Sequence, residues 1–133
     1  MPTEDVLENK ALPRRSEDFF FDYANYVHME HSAWDLKLVF GQLDQSATPA
    51  STELRSAITL PWLAVKILVF FMTVNLRAFE LTNGVIRVPK ESLPAVLPPP
   101  TEEQLKTAPN LTEFVAEMNE FREEFFRLHG SET

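Results

Sequence analysis

The sequence predicts an α+β protein, in which a small antiparallel sheet of three to four strands is covered by one long apolar helix. Segments before residue 61 alternate apolar and polar residues, and this period of two is typical of strands with one face in water. The next segment is too long and too continuously apolar to be a strand. A second helix, with a regular apolar stripe, follows a proline-rich connector.

Composition divides the 133 residues into four segments. Residues 1–18 are rich in charge and predict a mobile acidic N-terminal arm. Residues 19–89 carry the alternating and apolar segments and predict an α+β core domain. Residues 90–109 are a proline-rich connector, and residues 110–130 form a C-terminal helix with heptad patterning. This length suffices for one compact domain with extensions.

Three strands are predicted in the core domain. The first is the aromatic run from Phe19 to His31, and the second runs from Asp35 to Gly41, so that residues 32–34 connect a hairpin. The third runs from Thr52 to Leu60 and has one wet face. Val85 to Pro89 is expected to form a short returning strand. It ends at Pro89, because proline has no N–H to donate to a strand ladder.

The long helix is predicted from Pro61 to about Asn83, with the proline in its first turn and Gly84 at its C-terminal stop. On a helical wheel its polar residues form one narrow stripe: Lys66, Thr73, Arg77 and Glu80. One side of that stripe carries Leu63, Ile67, Phe70, Val74 and Leu81. A single sheet cannot cover both sides of such a helix, so we expect one side to pack on the protein's own sheet and the other on a second subunit.

The predicted oligomer interface is the other side of the helix: Val65, Val69, Met72, Asn75, Leu76 and Phe79. Asn75 lies opposite Lys66 on the most apolar face, where an amide without hydrogen-bond partners costs about 1 to 3 kcal/mol. We therefore expect Asn75 to bond to sheet backbone or to its symmetry mate and to fix the register of the interface.

A membrane span is the alternative for this helix. Leu60 to Leu76 is a nearly uninterrupted apolar run, but a span needs about 20 apolar residues. Lys66 and Asn75 would lie in the hydrocarbon, and Arg77 follows at once, which is costly in lipid. These residues argue for a helix in a soluble assembly.

The C-terminal helix is predicted from Asn110 to Gly130. Its apolar residues are spaced alternately by three and four and form a heptad stripe: Leu111, Phe114, Met118, Phe121, Phe125 and Leu128. Glutamates dominate its outer face. Two interpretations stay open, since the stripe can pack as a fixed part of the protein's own core or oligomer, or can act as a docking helix for another protein. Before it, Thr101 to Gln104 has the form of a capping box and predicts one short helical turn.

Charge and composition narrow the classes of function. The chain has 12 Lys and Arg against 20 Asp and Glu, a net charge of −8, which repels nucleic acid and anionic lipid. The absence of cysteine fits a reducing compartment. Because the N-terminus also lacks the pattern of a signal peptide, we expect a cytoplasmic location.

The sequence contains no catalytic, metal-binding or phosphate-binding motif that we recognise. It has only three glycines, no G-x-S-x-G elbow and no H-E-x-x-H helix. His28 and His31 are three apart on a predicted strand and point to opposite faces. His31 beside Asp35 is the one pair that an enzyme hypothesis has to rest on. We expect neither an enzyme nor a cofactor.

Short motifs of the chain resemble a known family. Tyr23-Ala24-Asn25, Trp34-Asp35-Leu36 and Ile58-Thr59-Leu60-Pro61, together with Asn75 to Glu80 followed by Gly84, are similar to a family of small prokaryotic proteins, the domain of unknown function numbered 3467. The resemblance covers about residues 20–88. It implies the order strand, strand, strand, helix, and it implies no activity. The connector and the heptad helix look like additions to the family pattern.

The expected function is a homo-oligomeric interaction or scaffold protein. The alternative is a holdase chaperone resembling the export chaperone SecB, which would bind unfolded or extended polypeptide in an exposed aromatic groove. The aromatic residues Tyr23, Tyr26 and Trp34 beside Asn25 are either core residues of the hairpin or part of such a peptide-binding patch.

Overall fold

The computed structural model describes residues 12–131. Residues 1–11, most of the predicted N-terminal arm, lie outside the described residues. The chain divides into two compact units, Met1–Val69 and Phe70–Thr133, and the division falls within the long helix.

The first unit contains a three-stranded antiparallel sheet. Strands β1 (Tyr26–His31), β2 (Asp35–Asp44) and β3 (Ser51–Pro61) lie in the order β1-β2-β3. The central strand supplies the buried apolar residues Leu36, Leu38 and Val39. With the helices that follow, this sheet confirms the predicted α+β class.

The two faces of the sheet differ in chemistry. Strand register places mostly apolar side chains on one face, here called the apolar sheet face: Val27, Met29, Leu36, Leu38, Phe40, Ile58 and Leu60, together with His31 and Ser56. The opposite face carries Tyr26, His28, Glu30, Lys37 and Thr59, together with Ala57 and the buried Val39. The predicted wet face is thus present. The apolar sheet face is not fully covered, since Met29 and Ile58 are 59% and 54% exposed.

Strand β1 begins later than predicted. The Asn25 side chain donates from Nδ2 to the carbonyl oxygen of Leu43 at 3.4 Å and accepts at Oδ1 from the Leu43 N–H at 2.7 Å. Gln42 Nε2 donates to the carbonyl oxygen of Tyr23. Apart from one backbone bond, from the Asn25 N–H to the Gly41 carbonyl oxygen at 3.2 Å, side-chain amides take the place of ladder partners here. The prediction of a strand from Phe19 onward is therefore wrong before residue 26.

The predicted hairpin connection at residues 32–34 is confirmed. Ser32 Oγ accepts hydrogen bonds from the backbone N–H groups of Trp34 and Asp35, both at 3.1 Å, and donates to the Asp35 carboxylate at 2.9 Å. This side chain closes the turn in the way that serine often does next to its own backbone.

Helix α1 (Trp62–Asn83) starts directly where β3 ends, one residue later than predicted. Trp62 Nε1 donates to the carbonyl oxygen of Ser32 at 3.1 Å and ties the start of the helix to the hairpin turn. Gly84 has φ +96°, a conformation that glycine adopts without a Cβ clash, and its N–H donates to the carbonyl oxygen of Glu80. The predicted stop is confirmed.

The expectation that the sheet of the same chain covers one side of α1 is wrong for the single chain. Leu63 and Ile67, on the side assigned to that contact, remain 73% and 49% exposed. The helix begins without a connecting loop, so no residues are available to turn its first turns back over the sheet.

The second unit continues from α1 into two further helices. The predicted returning strand at Val85 to Pro89 is wrong, because Val88 makes only an isolated parallel bridge with Gly130, and the sheet has three strands. A 3₁₀ turn at Lys90–Ser92 follows. Helix α2 (Glu102–Thr107) begins with the predicted capping box, in which Thr101 and Gln104 exchange hydrogen bonds. Helix α3 (Leu111–His129) confirms the predicted C-terminal helix.

Candidate functional site

The predicted oligomer interface on α1 is open to solvent. Met72 and Phe79 are 62% and 51% exposed, Val69 and Leu76 are also exposed, and Val65 is half-buried. The opposite side of the helix is exposed as well, at Leu63, Ile67, Phe70, Val74 and Leu81. The single chain therefore leaves a helix of 22 residues uncovered on both of its apolar sides. By length and composition alone, this helix is long and apolar enough to cross a membrane.

Asn75 makes a local hydrogen bond. Its Nδ2 donates to the carbonyl oxygen of Phe71, one turn earlier in the same helix, at 2.7 Å. The predicted bond to sheet backbone is therefore not made within the chain. A bond to a symmetry mate stays a prediction.

Glu80 corrects the predicted polar stripe of α1. Its side chain is not in solvent, because Glu80 is only 7% exposed, and its Oε2 accepts a hydrogen bond from the backbone N–H of Ile86 at 2.7 Å. Glu80 thus fastens the segment after α1 to the end of the helix. The helical wheel did not predict this role of Glu80. The motif from Asn75 to Glu80, followed by Gly84, did include the residue. The exposed charges left on α1 are Lys66 and Arg77, both basic.

A second apolar surface lies on α3, where residues 93–97, here called the strap, run along the helix. Asn119 accepts from the Leu97 N–H at 2.9 Å and donates to the Leu97 carbonyl oxygen at 3.0 Å. Arg122 Nε donates to the carbonyl oxygen of Pro94 at 2.6 Å. Two side chains of α3 thus hold the strap through its backbone, a link that no local sequence pattern predicts.

The strap and the heptad stripe enclose an open groove of about 550 Å³, here called the strap groove. Its walls are mostly apolar and include Leu93, Leu97, Phe114, Met118, Phe121 and Phe125; Asn119 and Arg122, whose side chains hold the strap, also line it. Of the predicted docking stripe, Leu111 and Phe125 are half-buried, while Phe114, Met118, Phe121 and Leu128 are exposed. The strap of the same chain covers one edge of the stripe and leaves the other edge open.

The open edge of the strap groove is acidic. Glu117 and Glu124 occupy the heptad positions that flank the stripe on the side away from the strap, and Glu113 and Glu120 lie beyond them. Arg127 hydrogen-bonds the Glu124 carboxylate and lowers the pKa of that carboxyl below its usual value. The groove therefore combines an apolar floor with a negatively charged rim.

The first unit has an aromatic groove of about 600 Å³, which includes Phe40 and Ile58 of the apolar sheet face. Phe19, Phe20, Tyr23, Phe40 and Ile58 line it. Only one residue of the predicted aromatic patch lies there. Tyr26 instead bonds through its hydroxyl to His28 Nδ1 at 3.3 Å, and Trp34 is exposed in the hairpin turn.

No hydrogen bond joins His31 and Asp35, the two residues of the enzyme hypothesis. The Asp35 carboxylate accepts its hydrogen bond from Ser32, and His31 is exposed. His28 Nε2 lies 3.5 Å from a Glu30 carboxylate oxygen on the polar face of the sheet. Between residues 12 and 131, no three His, Asp or Glu side chains are grouped so that they could hold a metal ion.

Comparisons with known proteins add no family assignment. No protein-family model matches the chain, and neither the curated proteins nor the solved structures contain a match. The resemblance at residues 20–88 therefore stays a prediction.

Proposed function

We propose that this protein is a non-enzymatic, homo-oligomeric interaction protein that assembles through α1 and acts as a scaffold. The observation that carries this proposal is the exposure of α1 on both apolar sides, including Met72 and Phe79. Soluble monomers rarely expose a continuous apolar patch of more than a few hundred Å². A helix of 22 residues is about 33 Å long and about 10 Å wide, so each uncovered side is on the order of 300 Å². The two sides together exceed what a monomer usually leaves in water.

Assembly in water suits α1 better than a lipid environment does. In an oligomer the stripe with Lys66 and Arg77 can stay at the solvent edge of the interface, as charged residues do at interface rims. In a bilayer both cations, and the amide of Asn75 between the ends of the helix, would lie in or near hydrocarbon. The charges of α1 thus favour a partner that covers only part of its circumference.

Sedimentation velocity tests self-assembly. We expect the full chain to sediment as a dimer or larger oligomer at micromolar concentration, and Met72→Glu to shift it toward monomer because an unpaired carboxylate is costly in an apolar interface. Lys66→Glu is the matched control, since it places the same residue on the polar stripe. A wild-type chain that stays monomeric at this concentration contradicts the proposal.

The scaffold role needs a surface for a second protein, and the strap groove is our candidate for it. Its apolar floor and acidic rim fit an amphipathic helix that carries lysine or arginine beside its apolar anchors. We expect a fluorescent peptide of that design to bind, and its affinity to fall as salt screens the rim. Phe121→Glu should abolish binding. A peptide with glutamate in place of its basic residues is the control, and equal binding of both peptides contradicts this assignment.

The holdase alternative is favoured by the aromatic groove of the first unit. Unfolded polypeptide offers apolar side chains along an extended backbone, and exposed aromatics such as Phe20 and Tyr23 are suited to bind them. The measurement is the aggregation of an unfolded client with and without the protein. We expect Tyr23→Ala to reduce protection and Trp34→Ala, an exposed aromatic outside the groove, to leave it unchanged. A protein that does not delay aggregation rules this function out.

A further inference from the structure

We propose that α1 of one copy covers the apolar sheet face of a second copy, and that the exchange is reciprocal. This inference rests on the proposed self-assembly and names the surface that receives the helix. It replaces the expectation that α1 covers its own sheet.

The junction between β3 and α1 prevents the helix from folding back over its own sheet. β3 ends at Pro61 and α1 starts at Trp62, so no loop separates them, whereas strand-to-helix connections usually have about 2 to 6 residues. The Trp62 indole is also bonded to the Ser32 carbonyl oxygen at 3.1 Å, which fixes the start of the helix. Leu63 and Ile67, in the first two turns, are accordingly exposed.

The sheet has one apolar face that the single chain leaves exposed. Its apolar face needs a cover, because Val27, Met29 and Ile58 are exposed there. The opposite face needs none, since His28, Glu30 and Lys37 form a chain of polar contacts at 3.5 Å there, and Val39 on the same face is already buried in the single chain. One face of the sheet is thus left for an apolar partner.

The shapes and the chemistry of the two surfaces agree. Strand β2 has 10 residues and spans about 33 Å, and α1 with its 22 residues spans about the same length. The side of α1 that would face the sheet is apolar at Leu63, Ile67, Phe70, Val74 and Leu81, and Arg77 lies at its border. Reciprocal exchange gives a closed two-fold pair, in which the same two surfaces are covered on each copy.

The exchange also accounts for the second side of α1. When Phe70 and Val74 face the partner's sheet, the side with Met72, Asn75 and Phe79 is left to face the other α1 or a further copy. Both apolar sides of the helix are then covered, and Lys66 and Arg77 keep the solvent edge.

Cross-linking between singly substituted chains tests the exchange, and the absence of cysteine from the chain makes every thiol an engineered one. Met29→Cys chains and Phe70→Cys chains with different tags are unfolded together, refolded, and treated with a short bis-maleimide. Any adduct between the two tags joins two copies. We expect this adduct to form several-fold more than with Glu30→Cys in place of Met29→Cys, because Glu30 is the adjacent residue on the polar face.

A second variant pair measures the same contact without thiols. Ile58→Glu should raise the dissociation constant of the oligomer by at least about tenfold, while Thr59→Glu, its neighbour on the polar face, should leave it unchanged. Both side chains are exposed in the single chain, so the sheet itself tolerates either change, and circular dichroism verifies this.

The outcomes separate the two proposals. An oligomer that gives no more Met29–Phe70 adduct than the Glu30 control, and in which Ile58→Glu has no larger effect than Thr59→Glu, overturns the exchange and leaves self-assembly in place. A monomer in sedimentation overturns both proposals.

Discussion

Phe79→Ala gives the most direct measure of how much α1 contributes to assembly. Phe79 is 51% exposed in the single chain. A phenylalanine can bury about 150 to 250 Å², so a partner has about 100 Å² of this side chain left to cover. At about 25 cal/mol per Å², covering it contributes about 2.5 kcal/mol per copy.

Alanine would keep a small part of this area, so we expect the substitution to cost about 2 kcal/mol per copy. In a two-fold dimer the residue counts twice, and about 4 kcal/mol corresponds to roughly a thousandfold in the dissociation constant. Buried area does not convert fully into affinity between proteins, so about tenfold is the smallest change consistent with an interface at this position.

Sedimentation equilibrium over a range of concentrations measures this constant. The matched control is Phe121→Ala on α3, because Phe121 is 67% exposed and the substitution is the same. We expect the control to retain the wild-type dissociation constant. An unchanged constant for Phe79→Ala, with assembly intact, would refute the placement of this side of α1 in the interface.

Substitutions at three further positions test the second unit. Glu80→Ala should lower the free energy of unfolding, measured by urea denaturation, by about 1 to 3 kcal/mol, because the Ile86 N–H loses a charged acceptor in a partly buried hydrogen bond. Glu80→Gln should restore part of this stability. Gly84→Ala should lower the free energy of unfolding by about 1 kcal/mol in the same measurement, because φ at this position is +96°. No atom lies near the added Cβ, so the backbone conformation is the whole cause, and Gly84→Asn should cost less. Asn119→Ala should speed hydrogen exchange at the Leu97 amide, whereas unchanged exchange there would mean that the strap is held without it.

The elements of the fold could be predicted because their signals are local. Alternation located β2 and β3 to within a few residues, and the pair Pro61 and Gly84 bounded α1 to within one residue. The capping box before α2 and the heptad spacing of α3 were likewise read from neighbouring residues. Each of these features depends on contacts a few positions apart, which a sequence displays directly.

The arrangement of side chains around these elements could not be predicted, because it depends on contacts between distant residues. Asn25 bonds to Leu43 across 18 positions and shortens β1, and Asn119 bonds to Leu97 across 22 positions and forms one wall of the strap groove. Glu80 looked like a surface charge on the wheel, yet it satisfies a backbone N–H that only the folded chain brings near. Spacing along a helix indicates on which side of the helix a residue lies. It does not indicate which other part of the chain contacts that side.

The direct junction of β3 with α1 has a consequence for how this protein is stabilised. Among the described residues only Leu36, Leu38 and Val39 form a buried apolar core, which is small for a chain of this length. In the proposed exchange the helix that completes the core comes from another copy, so folding and association become one equilibrium and stability depends on protein concentration. We expect the midpoint of thermal unfolding to rise with concentration, so that the amount of protein present determines how much of it is folded.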